Sequence, residues 1–228
     1  MMKNFRLALR TSALFAVTLM FASAVQAQAS RTWVSGIGDD QNSCSRTNPC
    51  RTFAGAIMKT LAGGEINALD GGGFGAVTIT KSITIDGSSV PATILANQGN
   101  GITINIPPAH RLHFDREVRI RGLSLNGAGN GSHGISVIAA TKVTVEDCVI
   151  DGFKGDGINI GAGRLFVGNT TIRNNLGNGV NVTAGSGAAI SDTRLIFNGT
   201  GMAGNVARYC CVVLYGNKNG DPAAPPQP

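Results

Sequence analysis

Gly101-Ile102-Thr103-Ile104, Gly134-Ile135-Ser136-Val137, Gly157-Ile158-Asn159-Ile160 and Gly179-Val180-Asn181-Val182 are four copies of one phrase. Each copy is a glycine, a β-branched residue, a small polar residue and a second β-branched residue. The glycines are 33, 23 and 22 residues apart. A unit of this length buries its apolar side only by stacking on its neighbours, so the period predicts a solenoid. Within the phrase, strand alternation sends Ile102, Ile135, Ile158 and Val180 to one face and Thr103, Ser136, Asn159 and Asn181 to the other. The first set is core. The second is a neutral, outward strip.

Each unit carries further apolar segments beside the phrase. Val118-Arg119-Ile120-Arg121-Gly122-Leu123-Ser124-Leu125 aligns with the octets that begin at Val143, Leu165 and Ala188, giving coils of 22 to 25 residues. Every coil therefore has three short strands: the glycine phrase, a Val-x-Val phrase, and one built on Leu123, Cys148, Thr170 or Thr193. Three strands per coil fit a parallel β-helix better than a leucine-rich repeat, which wants a leucine consensus. Strands stacked about 4.8 Å apart would make five or six coils a rod on the order of 25 Å long.

Upstream, Phe53, Ile57 and Leu61 are four apart and predict one apolar helical face over residues 52–61, with Thr52 as N-cap and Gly63-Gly64 as the stop. Strand-like alternation follows at Glu65–Leu69, Val77–Ile79 and Ile83–Asp86. The helix of type Thr-Phe-x-x-Ala-Ile, then Ala62-Gly63-Gly64-Glu65-Ile66, a glycine-rich turn and Ser82-Ile83-Thr84-Ile85-Asp86-Gly87 together resemble the opening of right-handed parallel β-helix proteins. That superfamily includes pectate lyases, polygalacturonases and pectin methylesterases, and the resemblance runs over about residues 39–199. It implies an all-β, right-handed parallel β-helix whose N-terminal end is covered by a short capping helix. An uncovered first coil would present unpaired strand edges, so a cap is also a physical requirement. The resemblance further implies polysaccharide as the substrate class and, for a lyase, calcium as the cofactor; no other cofactor is expected.

The ends frame this unit. Lys3, Arg6 and Arg10 precede the apolar run Ala13–Ala24, and small residues offer cleavage after Ala27 or Ala29, the pattern of an export signal. The apolar run is too short for a membrane span, and no cysteine follows it for a lipid anchor. The expected organisation is a signal peptide over 1–27, a β-helix domain over 31–215 with coils at about 65–199, and a disordered Pro/Ala-rich tail over 216–228. Localisation would be periplasmic or extracellular. Without the signal, 16 basic residues face 13 acidic ones. That small excess, with no basic run interleaved with aromatics, argues against nucleic acid as a partner.

All five cysteines follow the signal, where disulfides are permitted. Cys44 and Cys50 bracket a polar loop and are expected to pair. Cys148 lies in a repeat and is expected as a buried thiol. Cys210 and Cys211 are adjacent and are not expected to pair with each other; whether one reaches Cys44, Cys50 or Cys148 stays open. No zinc-type spacing occurs, and no metal site is expected.

Stacking turns each repeat position into a column. The residue before each repeat glycine is Asn100, His133, Asp156 or Asn178. A His and an Asp one coil apart could form an acid/base pair. Ser132-His133-Gly134-Ile135-Ser136 resembles the Gly-His-Gly-Ile-Ser segment of polygalacturonases, and Gly155-Asp156-Gly157 resembles one of their aspartate segments. The order of the two is reversed here, and the family's Arg-Ile-Lys element is missing. An inverting glycosidase also needs a second carboxylate roughly 6.5–9.5 Å from the first, and Asp151 belongs to a turn. A second column, Gly122, Asp147, Asn169 and Asp192, is expected to be a structural ladder serving neighbouring backbone groups. The insertion from Ile106 to Glu117, with His110, Arg111, His113, Asp115 and Arg116, should emerge on one face. These observations predict an exported, non-catalytic module for glycan or surface interaction. Asn100, Asn178, Ser136, Asn159 and Asn181 would then touch a polysaccharide or cell-surface glycan. The competing expectation is a carbohydrate-active enzyme (lyase, hydrolase or epimerase) with His133 and Asp156 as catalytic residues.

Overall fold

One turn of the chain shows how the repeat closes. Lys142–Glu146, Val149–Asp151 and Ile158–Ile160 lie in three different sheets. Each pairs in parallel with its counterpart one coil on: Arg164–Gly168, Thr171–Arg173 and Asn178–Val182. Repetition builds three parallel sheets of eight, seven and six strands, here called A, B and C in the order the chain visits them. The computed structural model describes residues 28–108, 116–208 and 210–220. Residues 1–27, where the export signal is expected, the insertion residues His110, Arg111, His113 and Asp115, and Asp221–Pro228 lie outside the described residues. The fold is a right-handed parallel β-helix, with one short helix among the described residues. No helix among the described residues is long and apolar enough to cross a membrane.

Register places the repeated phrase as its alternation requires. Ile102, Ile135, Ile158 and Val180 pair in one column and are all 0% exposed. The phrase glycines have a separate reason, which is close approach rather than backbone angle. A Cβ on Gly134 would lie 2.5 Å from the Gly157 carbonyl oxygen, and one on Gly179 would lie 2.6 Å from that of Gly201. The next coil's main chain occupies the space a side chain would need.

The corner from sheet A to sheet B is turned by one left-handed residue per coil: Gly122, Asp147, Asn169 and Asp192 have φ of 67°, 55°, 44° and 50°. Gly, Asn and Asp are the residue types that reach this region most readily. Their expected service to neighbouring backbone is not what the side chains do. Asp147, Asn169 and Asp192 are exposed, and Asn169 Nδ2 donates to Asp147 Oδ1 at 2.7 Å. The backbone is served instead at the corner from B to C, by Asn175, Asn198 and Asn217. Asn175 Oδ1 accepts the Phe153 N–H at 3.0 Å, Asn198 Oδ1 the Asn175 N–H at 3.2 Å, and Asn217 Oδ1 the Asn198 N–H at 2.8 Å. Side chains at the A-to-B corner point outward, where water can satisfy them and, among the described residues, no backbone donor of the next coil is within their reach.

The helix Phe53–Lys59 covers the N-terminal end. The Thr52 hydroxyl accepts the Gly55 N–H at 2.9 Å, and Phe53, Ala56 and Ile57 are buried, with Phe53 5.2 Å from the Phe74 ring. The chain leaves the helix at Thr60 to enter the strand Thr60–Ala68, drawn there by Thr60 Oγ1 hydrogen-bonded to Thr32 Oγ1 at 2.8 Å. Leu61, expected on the apolar helical face, is therefore outside the helix and 44% exposed. Cys44 and Cys50 form a buried disulfide beside this cap. Cys148 is a buried free thiol, which burial pushes up to about 12.

At the other end the coils continue past Asn198 with Thr200–Gly204, Val206–Arg208 and Val213–Tyr215. Cys210 and Cys211, expected to remain apart, are joined to each other. Cys211 adopts φ 66°, a left-handed turn that an ordinary extended strand lacks. Arg208 pairs with Ile190 in an inward column, and its Nη2 is buried with no hydrogen-bond partner.

Two carboxylates tie stability to pH. Burial pushes the Asp40 and Asp86 carboxyls up, but hydrogen bonds outweigh it and hold both below the ordinary aspartate value. At Asp40 the donors are Thr52 Oγ1 and the N–H groups of Thr52 and Arg51, and at Asp86 they are the Ser88 hydroxyl and N–H with the Arg121 guanidinium. A depressed folded value means this stabilisation is complete above the unfolded aspartate range, about pH 4, and is lost as pH falls through the folded values. Urea unfolding from pH 7 down to pH 2 should show a shallower acid loss for Asp40→Asn/Asp86→Asn than for the wild type. A constant offset between the two curves would contradict the linkage.

Candidate functional site

His133, Asp156 and Asn178 come from equivalent turns on successive coils, just where the chain enters sheet C. The structure brings them into one ladder. Asn100 Oδ1 accepts the His133 N–H at 3.2 Å, His133 Nδ1 accepts the Asp156 N–H at 2.9 Å, and Asp156 Oδ1 accepts the Asn178 N–H at 2.7 Å. Each side chain thus caps a backbone donor of the following coil. Asp156 accepts two further bonds, from Asn178 Nδ2 at 2.9 Å and from Asn181 Nδ2 at 3.1 Å.

This geometry bears directly on acid/base chemistry. Because Nδ1 accepts an N–H, the neutral His133 imidazole carries its proton on Nε2. Nδ1 stands 3.7 Å from Asp156 Oδ2, so that approach is proximity without a shared proton. A carboxylate that orients an imidazole does so by accepting from a ring N–H, and here the ring nitrogen that faces Asp156 is itself an acceptor. The Asp156 side chain is 10% exposed and that of His133 is 29% exposed. The two residues meet as neighbours in a capping ladder.

The outward strip of sheet C runs beside them. Thr78, Thr103, Ser136, Asn159 and Asn181 are in continuous register. Asn100 Nδ2 donates to Thr103 Oγ1 at 3.1 Å, and Asn181 Nδ2 donates to Asn159 Oδ1 at 3.3 Å. Five strands at about 4.8 Å spacing make the strip about 19 Å long. Its groups are hydroxyls and amides without charge; Thr78 is exposed, Thr103, Asn159 and Asn181 are half-buried, and Ser136 is buried at 8% exposure.

Sequence inspection missed an ion-pair ladder on the outward face of sheet A. Arg31 meets Glu65 at 3.0 Å, Arg121 meets Asp86 at 2.6 Å, Arg119 meets Glu146 at 3.2 Å and Lys142 meets Glu117 at 3.6 Å. The signal was present in the outward positions of the Val-x-Val phrase, but the alternation of sign exists only across strands. A shallow groove of about 400 Å³ lies here, lined by Thr84, Glu117, Arg119, Lys142 and Thr144. A larger groove of about 840 Å³ lies at the corner from C to A, lined by Arg116, Arg164, Ser186 and Asn205 among others. Neither includes His133 or Asp156. Arg116, the described member of the insertion's charged cluster, donates to the Ile106 carbonyl at 3.2 Å. A strand of sheet C separates it from the turn that carries His133.

Calcium takes six to eight oxygen ligands. Among the described residues, Asp39-Asp40, Glu146-Asp147 and Asp151 with Asp156 form no group of three close carboxylate, imidazole or thiol donors. The group that does form is Asp192, Cys210 and Cys211.

The structure is similar to the crystal structure of pectate lyase Pel9A, with a TM-score of 0.55 at 15% sequence identity, over 81% of this chain and 62% of that one. At this identity the likeness shows the fold. The chain spans about 62% of the length of that lyase. No protein-family model and no curated protein matches the sequence.

Proposed function

We propose that this β-helix is an exported, non-catalytic module that binds a glycan along the outward strip of sheet C. The observation that carries this reading is the use of the Asp156 carboxylate and of His133 Nδ1 as caps on neighbouring coils. The Asp156 carboxylate receives two amide groups and one backbone N–H, and His133 Nδ1 receives another backbone N–H. Groups that hold neighbouring coils together are poorly free to move protons. The adjacent strip offers paired donors and acceptors suited to sugar hydroxyls, with Ser136, Asn159 and Asn181 along it and Asn100 and Asn178 at its rim. Likeness of fold to a pectate lyase makes polysaccharide the class to test first, although sites are grafted onto folds rather than dictated by them. The buried Cys44–Cys50 disulfide and the sequence of residues 1–27 support an exported location.

Titration calorimetry over neutral and acidic oligosaccharides, with and without calcium, tests the proposal. Binding without turnover is expected. Asn159→Ala/Asn181→Ala should weaken it about 10- to 100-fold, the equivalent of one or two hydrogen bonds to the ligand. Turnover that disappears in both His133→Ala and Asp156→Ala, with the fold intact by circular dichroism, would establish the enzyme instead.

A further inference from the structure

We propose that Asp192, Cys210 and Cys211 form a redox-gated site for a thiophilic metal ion. Asp192 is an exposed member of the left-handed corner column, and the next coil places the two cysteines beneath it. The Asp192 N–H donates to the Cys210 carbonyl at 3.0 Å, which fixes one backbone against the other. One carboxylate oxygen and the two sulfur atoms all lie within 4.8 Å of one another, and all three residues are exposed.

The two disulfides differ in kind. Cys44–Cys50 is buried and closes a loop across 6 residues. A bond between neighbours closes almost no chain, so it restricts the unfolded state least and contributes least as a cross-link. Its exposure leaves it open to thiol exchange. An external dithiol attacks one sulfur as thiolate, forming a mixed disulfide and releasing the other cysteine as thiolate, and its second thiol then displaces the first cysteine from the mixed disulfide. The dithiol becomes the cyclic disulfide, and Cys210 and Cys211 are released as two thiols.

The reduced pair is a soft donor set. Metal binding displaces the two thiol protons to solvent and leaves two thiolates and the Asp192 carboxylate as ligands. These fill three positions of a tetrahedral ion and leave one for water. Sulfur ligation favours Cd²⁺, Zn²⁺ or Cu⁺ over calcium and magnesium. Ser191 Oγ donates to Asp192 Oδ2 at 2.6 Å, which orients the carboxylate beside the sulfurs. The oxidised pair has no thiolates to offer, so the disulfide is the closed state. Cys148 does not compete, being buried and held protonated.

Cadmium titration of the full chain reads the site through its thiolate-to-metal absorption band. After phosphine reduction the wild type should bind one equivalent, and Cys44→Ser/Cys50→Ser should do the same. Cys210→Ser/Cys211→Ser should bind none, the oxidised wild type should bind none, and Asp192→Asn should bind at least about tenfold more weakly. Alkylation mapping of the reduced wild type, which needs no variant to fold, should show cadmium protecting Cys210 and Cys211. Equal binding by the oxidised chain, retained binding in Cys210→Ser/Cys211→Ser, or no protection on mapping would overturn the site. Undiminished binding in Asp192→Asn would remove the carboxylate from it.

Discussion

Asn198→Ala is expected to lower the stability of the folded chain by about 3–5 kcal/mol, near the top of what single substitutions do. The side chain is in the interior, 2% exposed. It accepts from the Asn175 N–H at 3.2 Å and from Asn175 Nδ2 at 2.9 Å, and donates to the Ile172 carbonyl at 3.0 Å. Alanine leaves both Asn175 donors buried without their acceptor, at about 1–3 kcal/mol each before relaxation, and removes the side-chain bond to the Ile172 carbonyl, which stays in the sheet ladder. Asn105→Ala, at an exposed strand position, should stay within about 0.5 kcal/mol of the wild type. Urea unfolding followed by circular dichroism measures both. A loss below about 1 kcal/mol for Asn198→Ala would mean that the internal ladder does not hold the coils together.

Gly157→Ala should cost about 2–3 kcal/mol through overpacking. The added Cβ would fall on Ile172 Cγ2 and lie 2.7 Å from the Gly179 carbonyl oxygen. The side chain could shift, but the carbonyl belongs to the next coil and is fixed by sheet pairing. Gly73→Ala is the matched comparison. Its nearest neighbour would be Thr93 Oγ1 at 3.5 Å, an ordinary contact, so a change within about 0.5 kcal/mol is expected. Equal effects at the two positions would show that strand propensity, rather than coil-to-coil approach, selects glycine in the phrase.

The fold was legible because burial imposes a period, and the inward isoleucines and valines state that period in every coil. The neighbourhood of His133 and Asp156 was legible for the same reason, since equal offsets from the repeat glycine must stack. What each column does was harder to read. Asn175 and Asn169 are both asparagines in turns one coil in length apart from their counterparts, yet one points inward to backbone and the other outward to water. Only the direction of the Cα–Cβ bond at each corner separates them, and composition carries no trace of it. The ion pairs of sheet A were hidden because Arg121 and Asp86 are 35 residues apart and become partners only through register. Asp192 and the cysteine pair were hidden in the same way.

A solenoid is also a template, since each coil offers the edge on which another could grow. Arg208 occupies the place where Ile85, Ile120, Val145, Val167 and Ile190 stand in earlier coils. A foreign strand added there would have to seal a guanidinium inside an aliphatic stack, and inward charges of this sort blunt open sheet edges. The helix Phe53–Lys59 blocks the opposite face by bulk. Shape covers one end of the stack and charge marks the other, two unlike devices set against the same liability of an open strand edge.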